Sequence, residues 1–573
     1  MRVILFFAFI AIHVGLFAQS NYASLNETYY HWIDRYEVKT GGTLPQLFTS
    51  IKPYKRSAII SFLDSASRLE VFRSEADRFN LAYMHNDSWE WARPETNDSR
   101  KPLLRHLYKK KSDLLYVDIP EFDLHVNPVL YLGAGRDSRS DNMLFTNTRG
   151  MEVRGMVDKR VGFYTFLTEN QVRLADYISR TIANDTTLGY YPVIPHEGFW
   201  KTFKGNKGYD FFQARGYITF EATRHINLQF GHDRFFIGNG YRSLIFSDVA
   251  PPAWFLKGNL KVWKLNYFYL LNQFTANVRG TSGGTQGLKG GYPQKFVALH
   301  HLSINIGKKL NLGVFESVVF SPDDETGASR FRLDYLNPVI FFRAIEQQNG
   351  SSDNVILGAD FKWNALKNIQ FYGQFVLDEF LLDNLRDGNG WWANKFGVQL
   401  GAKYIDAFNV PNLDLQAETN LVRPYTYSHN TKYGSYSHYR QALAHPLGAN
   451  FKEVVGIARF QPVPKLAVTG KLIYAQIGRD TLSFNFGSDI LKNNSYRKTY
   501  QTDANFGNTI GQGVGNTIIL ATLTASWQLK HNLFIDATAT IRNSESAATP
   551  FNNSSTITSL ALRWNIAQRL YEF

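Results

Sequence analysis

The stretch TIILATLTASWQLKHNLFIDATATIR, Thr517 to Arg542, alternates apolar and polar side chains almost throughout. Ile519, Ala521, Leu523, Ala525, Trp527 and Leu529 share one face, and Thr522, Thr524, Ser526, Gln528 and Lys530 share the other. Successive side chains of a strand point to opposite sides, so a period of two marks a β-strand with one apolar and one polar face. After Lys530-His531 the alternation resumes, with Leu533, Ile535, Ala537, Ala539 and Ile541 against Asp536, Thr538, Thr540 and Arg542. Two strands of about ten residues joined by a short turn read as a hairpin.

The pattern recurs upstream. Phe212, Ala214, Ile218 and Phe220 oppose Gln213, Arg215, Thr219 and Glu221, and Val355, Leu357, Ala359, Phe361 and Trp363 oppose Asp360 and Lys362. Phe396, Val398, Leu400 and Ala402 oppose Gln399 and Lys403. A soluble sandwich alternates too, so the spacing between strands has to decide. Tight connections such as Asp158-Lys159 and Thr223-Arg224-His225 take turns with long ones at 170–209, 321–352, 424–449 and 479–514. Outer-membrane barrels have short periplasmic turns and long outer loops. Counting from Phe122 gives about eighteen strands, with Ala253 to Phe274 hard to divide because Gly258-Asn259 fits either a turn or a strand interior. The expected fold is mostly β, a transmembrane antiparallel barrel over residues 116–573 with long extracellular loops.

Composition agrees with a wall between lipid and water. Aromatic residues make up 15% of the chain, and charged residues only 19%, below the roughly 25% of an ordinary soluble protein. Outer-membrane lipid is therefore an expected partner. Cysteine is absent, which removes disulfides, thiolate chemistry and a lipoprotein anchor. Met1-Arg2, an apolar run from Val3 to Phe17 and Ala18 before Gln19 read as a cleaved signal peptide over 1–18. That run is shorter than the roughly 20 residues of a spanning helix. The later sequence has no helix-length apolar run, so a membrane would be crossed by strands.

Residues 19–115 read as a small periplasmic helical region. Ile59, Ile60, Leu63, Leu69, Phe72, Ala76, Phe79 and Tyr83 recur at spacings near three and four. Thr43-Leu44-Pro45 and Ser50 with Pro53 are expected helix starts, and the basic stretch Arg100 to Lys111 is expected at the junction with the barrel. At the other end, Leu570-Tyr571-Glu572-Phe573 places a terminal Phe on what reads as an amphipathic last strand. This resembles the signal taken up by the barrel-insertion machinery, a partner during biogenesis.

The alternation fails at NLQFGHDRFFIGNGYRSLIFSD, Asn227 to Asp248. Leu228 and Phe230 face one side, but His232 and Arg234 then fall on that same side. Either the strand has left the hydrocarbon there or a bulge has turned these groups inward. Tyr241, Arg242 and Asp248 then sit at the outer mouth or fold into the lumen.

The run FGHDRFFIGNGYRSLIFSD, the segment Leu336 to Arg343 with Asn349 to Asn354, QALAHPLGANFKE from Gln441 to Glu453 and TSIKPYKR from Thr49 to Arg56 resemble Wzi-type capsule-assembly barrels. More closely they resemble the Bacteroidota version of that family, the gliding-motility protein RemB. The resemblance spans nearly the whole mature chain. It implies an eighteen-stranded outer-membrane barrel with periplasmic helices and a role in retaining surface polysaccharide or in surface organisation. It carries over no individual sugar contacts.

Candidate ligand-binding residues come from the loops. Tyr425, Tyr427, Tyr433, Tyr436 and Tyr439 cluster with His438 and Arg440, and flat rings with polar tips can stack on sugar faces. The same tyrosines could instead pack the loop against the barrel mouth, as could Trp391-Trp392. Arg234, Tyr241 and Arg242 join the candidates from the irregular stretch. The net charge of +13 is spread over presumed periplasmic turns such as Lys159, Lys308, Lys309 and Lys530, so it names no acidic partner, and nucleic acid is not expected.

No catalytic, metal or cofactor site is expected. Ser282 among glycines lacks the strand-to-helix setting of a nucleophile elbow. Consecutive His300-His301 cannot share one strand face, and Asp323-Asp324-Glu325 lacks the spaced ligands of a calcium loop. Gly511 to Gly515 precedes a strand, where a dinucleotide fingerprint would open a helix. The expected function is non-catalytic retention of capsular or exo-polysaccharide at the outer membrane. The alternatives are an interaction subunit with other envelope proteins, for gliding or secretion, and a diffusion pore.

Overall fold

In the computed structural model, Thr522 and Thr540 stand opposite each other with their hydroxyls 3.2 Å apart, so the hairpin read from Thr517 to Arg542 forms in that register. The structure describes residues 20–573 apart from 104, 188–192, 199, 204, 206–207, 277–292, 322–332, 340, 350–352, 432, 498–501 and 548–550. The expected signal peptide, the loop Gly280 to Gly284 and Asp323-Asp324-Glu325 lie outside the described residues.

Eighteen antiparallel strands close on themselves. They are β1 (Phe122–Asp137), β2 (Ser140–Val157), β3 (Val161–Arg173), β4 (Gly208–Glu221), β5 (Ile226–Asp233) and β6 (Ala253–Val262). Then come β7 (Leu265–Thr275), β8 (Gln294–Ile306), β9 (Leu310–Phe320), β10 (Asn354–Leu366), β11 (Ile369–Glu379) and β12 (Lys395–Tyr404). The last are β13 (Leu413–Val422), β14 (Phe451–Val463), β15 (Leu466–Arg479), β16 (Val514–Lys530), β17 (Leu533–Ser546) and β18 (Asn553–Trp564). Pairing of β18 with β1, Trp564 opposite Leu130, shuts the ring. Gly258-Asn259 lies inside β6, and the turn falls at Trp263-Lys264.

The pleat sorts side chains by solvent. On β16 Ile519, Leu523 and Trp527 are exposed on the outside, while Asn516, Ile518 and Thr524 are buried inside. Phe212, Phe230, Val314, Leu400, Leu472 and Leu560 extend the outer apolar band around the wall. A barrel clad in this way is stable only against lipid. The charges point inward, where Lys362 meets Glu37 at 2.7 Å and Lys403 meets Asp34 at 2.6 Å. Either cation turned out to the bilayer midplane would cost about 2–4 kcal/mol.

Three helices cap the mouth formed by the short turns. They are α1 (Glu27–Lys39), α2 (Arg56–Arg68) and α3 (Glu75–Asp87), packed around Trp32, Tyr36, Phe62, Leu63 and Met84. Asn26 starts α1 by accepting from the backbone N–H of Thr28 and Tyr29, and Ser74 with Asp77 forms a capping box at α3. Thr43-Leu44-Pro45 starts no helix. That segment runs as turns, and the Thr43 N–H donates to the Lys308 carbonyl at 2.6 Å in the turn after β8. Its backbone is held by the barrel rather than by a helix of its own.

The chain's end also departs from the sequence reading. β18 stops at Trp564, and residues 565–573 leave the wall and run inside the lumen, so Phe573 ends no strand. The reason is chemical: Arg569 and Glu572 have no place against lipid. Inside, Arg569 donates to Thr148 and Asn170, and Glu572 pairs with Arg242.

Between β9 and β10 the chain turns outward. Residues 333–339 and 341–349 lie on the outer surface of β7 to β10, where the Tyr269 hydroxyl donates to the Tyr335 carbonyl and the Phe342 ring stacks on His300 at 4.5 Å. His300 and His301 point to opposite sides, His301 inward to Asp360 and His300 outward to Glu316.

Candidate functional site

β5 ends where its alternation ends. Phe230 and His232 still face outward beside Trp254, and Arg234 begins a segment that turns into the lumen. Gly238, at φ 142, allows the turn, and a side chain there would collide with Gln374. The segment brings Phe235, Ile237, Leu244, Ile245 and Phe246 into a buried cluster. Phe236-Ile237 pairs as a two-residue ladder with Ile51-Lys52 from the helical region. Outer loop and helical cap therefore meet inside the barrel.

The loop at 423–450 fills the space beside it. Tyr427 and Tyr436 are each 1% exposed and stack at 5.9 Å. Their hydroxyls donate to the Leu244 and Ile245 carbonyls at 2.7 and 3.0 Å. Tyr425, equally buried, donates to the Asn485 carbonyl at 3.0 Å. The Thr275 N–H donates to buried His438, whose ring touches those of Phe274 and Tyr439. Tyr433 and Tyr439 are half-buried. The sequence left these tyrosines between stacking on sugars and packing the loop. Tyr425, Tyr427 and Tyr436 pack it, because their rings are enclosed by protein and their hydroxyls are spent on backbone carbonyls.

A charged cluster pins the centre. The Arg242 guanidinium lies 3.1 Å from Glu453 and 2.7 Å from Glu572, and the backbone N–H groups of Tyr241 and Arg242 donate to Glu418. Lys471 reaches Glu572 at 3.1 Å and donates to the Tyr241 hydroxyl at 2.5 Å. Buried His445 bonds Glu453 at 2.7 Å. Burial by itself would raise the Glu572 carboxyl, but Arg242 and then Lys471 outweigh it and hold that group well below the usual carboxylate range.

These parts enclose a cavity of about 640 Å³ between the inward loops, the helical cap, the C-terminal tail and the wall. Of the candidate residues, Arg234, Tyr241, Arg242 and Arg440 line it, whereas Tyr425, Tyr427, Tyr433, Tyr436, His438 and Tyr439 do not. Arg234 is held by Glu197 at 3.4 Å. Ten arginines line the cavity against seven carboxylates, a concentration of positive charge separate from the lysines of the short turns. Sequence reading missed Arg479, Glu418 and Glu453, since inward polar residues on a barrel strand carry no local mark of their partners across the lumen.

No protein-family model matches the chain, and no curated protein does. Solved structures do. The fold resembles that of Wzi. Wzi is an outer-membrane protein involved in group 1 capsule assembly in Escherichia coli and a carbohydrate-binding β-barrel. The two superpose with a TM-score of 0.55 at 13% identity, over 96% of this chain and 100% of that one. OprD of Pseudomonas aeruginosa aligns with a TM-score of 0.41 at 10% identity, over 77% of this chain and 94% of its own. OccAB1 of Acinetobacter baumannii gives 0.40 at 9%, over 77% and 96%. At these identities the likeness is one of fold.

Proposed function

We infer that this chain is a non-catalytic outer-membrane barrel that retains surface polysaccharide. The observation that carries the reading is a lumen that, among the described residues, is filled from both ends around a cavity of about 640 Å³ with both polar and apolar walls. A recess of that size with charged groups and aromatic rings in its wall suits holding a ligand, whereas passage of solutes needs a continuous aqueous channel. The apolar outer band supports a membrane setting, with the long loops at the cell surface and the helical cap in the periplasm. The fold likeness to Wzi supports sugar as the ligand class.

A second reading, a subunit bound to other envelope proteins, has one observation on its side. Leu333, Val339 and Phe341 are 71%, 86% and 74% exposed on the segment lying outside β7 to β10. Planar-bilayer conductance of the purified barrel, run with a glycan array on the same sample, separates the readings. Retention expects a closed barrel with a glycan signal. A steady open channel with no glycan signal overturns it in favour of a pore, and a closed, sugar-blind barrel favours the protein partner.

A further inference from the structure

Buried arginines in this barrel are paired with carboxylates as a rule. Arg56 lies 2.6 Å from Asp87, Arg563 lies 2.5 Å from Asp536, Arg154 meets Glu90, and Arg242 is held by Glu453 and Glu572. Two arginines on the inner wall depart from that rule. Arg479 closes β15 at the long-loop end, and Arg542 projects inward from β17. Among the described side chains neither has a carboxylate within salt-bridge distance. Arg479 donates from Nε to the Asn516 amide oxygen at 3.1 Å, and Arg542 donates from Nη1 to the Asn553 amide oxygen at 2.6 Å. Arg542 is 6% exposed, and its Nε has no hydrogen-bond partner. Of the nearby acids, Asp480 accepts from the backbone N–H groups of Phe486, Ser488 and Asp489, and Asp489 accepts from that of Leu491.

The two groups belong to one recess. Asn516, which receives Arg479, donates to the Ser544 hydroxyl, and Ser544 pairs across the sheet with Asn553, the partner of Arg542. Arg479, Asn516, Arg542, Asn553, Phe551 and Tyr177 all line the cavity. Each guanidinium lies over a ring, Arg479 over Phe551 at 4.7 Å and Arg542 over Tyr177 at 4.4 Å from the ring centre. A cation over a ring face is attracted to it without using up its N–H donors. Arg542 is buried and Arg479 half-buried, and two like charges side by side in such a recess are costly unless an anion answers them. A planar fork suits a carboxylate or an ester oxyanion, which can accept two parallel N–H bonds.

We propose that Arg479 and Arg542 form a binding site for an anionic substituent of a glycan, a uronate carboxylate or a sulfate or phosphate ester, inside the upper lumen. The proposal rests on the polysaccharide reading and sharpens it to acidic sugars.

The test uses the full-length barrel in detergent. Calorimetric titration with tetragalacturonate and with its carboxyl-reduced neutral counterpart is run on the wild type, R479Q/R542Q and R479K/R542K, and thermal melts are taken with and without sodium sulfate. Heat-modifiable gel migration confirms that each variant is folded. The expected result is binding of tetragalacturonate to the wild type, at least tenfold weaker in R479Q/R542Q and partly recovered in R479K/R542K, which keeps the charge and loses the fork. The neutral counterpart binds more weakly and is indifferent to the substitutions. Sulfate protection seen in the wild type and lost in R479Q/R542Q, with neither tetrasaccharide bound, would sustain the anion site and sink the polysaccharide reading. Equal binding of the acidic and neutral sugars, unchanged in R479Q/R542Q, would overturn the anion site and leave the polysaccharide reading standing. No response of the wild type to tetragalacturonate or to sulfate also overturns it.

Discussion

Arg242 in the inward loop and Glu572 near the end of the chain meet at 2.7 Å inside the lumen. The contact ties the segment between β5 and β6 to a tail that has left β18. Both groups are largely out of water, at 8% and 10% side-chain exposure. Such a pair specifies an arrangement more than it adds stability, and removing one partner leaves the other charge uncompensated.

Glu572→Gln is therefore expected to loosen the tail by about 3 kcal/mol, seen as faster carboxypeptidase trimming of residues 565–573. The folded carboxyl lies below its ordinary value, so its contribution is complete above the unfolded value of about 4.3 and is lost as pH falls through the folded one. Trimming of the wild type should rise on acidification below about pH 4, and the variant should show a flatter profile. Identical trimming of the two proteins at neutral pH would sink the idea that this pair holds the tail.

Tyr427 and Tyr436 hold the inward loop by their hydroxyls as well as their rings. Tyr427→Phe and Tyr436→Phe each remove one buried bond to a carbonyl and should cost about 1 kcal/mol apiece. Tyr436→Ala removes the ring too and should cost about 3–5 kcal/mol. The readout is the frequency of channel openings in a planar bilayer, which should rise in the order Phe, double Phe, Ala. A flat series would show that these loops do not close the lumen.

The wall was legible from the sequence and the plugs were not, for a physical reason. Lipid forces every other residue of a strand to be apolar, so Thr517 to Arg542 announces its register locally, with Thr522 opposite Thr540. Arg234 to Pro252 answers instead to partners across the lumen, such as Gln374 and Glu418, which no local period encodes. The loop tyrosines were visible as a cluster, but whether a ring faces sugar or Leu244 depends on a segment nearly two hundred residues away. Helix α1 went unread because it buries Asp34, Arg35 and Glu37 beside its aromatic face, which blurs the amphipathic pattern. Its cap was readable, since Asn26 before Glu27 is an ordinary helix start. The terminal Phe misled because Arg569 and Glu572 outweigh it: two charges that must find partners pull the last residues inward.

Glu316 fastens the outer segment from an unusual place, the outward face of β9. It accepts from the backbone N–H groups of Phe342 and Arg343, each at 2.8 Å, and lies 3.0 Å from His300. Glu316→Ala orphans the first N–H groups of the helix Phe342–Asn349 and should cost about 1–3 kcal/mol. Limited proteolysis in micelles should then cut within 333–349 at least several-fold faster, while the β-barrel core stays intact. Glu316→Gln, which still offers one acceptor oxygen, should fall between. Cleavage rates matching the wild type in both variants would mean that the ring contacts of Tyr335 and Phe342 hold the segment alone.

Arg35 joins the helical cap to the barrel. Its guanidinium is 3% exposed and is shared among Asp77 of α3, Asp406 and Asn412 of the turn after β12, and Asp414 of β13. Burial opposes its charge, but Asp414, Asp77 and Asp406 outweigh that and raise the group above its ordinary value. Arg35→Ala leaves buried carboxylates without their cation and should cost about 3–5 kcal/mol of docking energy. Arg35→Lys keeps the charge, loses the fork and should cost less. Because the cap closes the mouth formed by the short turns, Arg35→Ala should couple two readouts. Protease cleavage within residues 20–110 and the appearance of conductance should rise together, with Arg35→Lys between it and the wild type. Cleavage without conductance would mean that the inward loops close the lumen without the cap. Conductance without cleavage would mean that the cap stays docked and that Arg35 holds the turn after β12 in place.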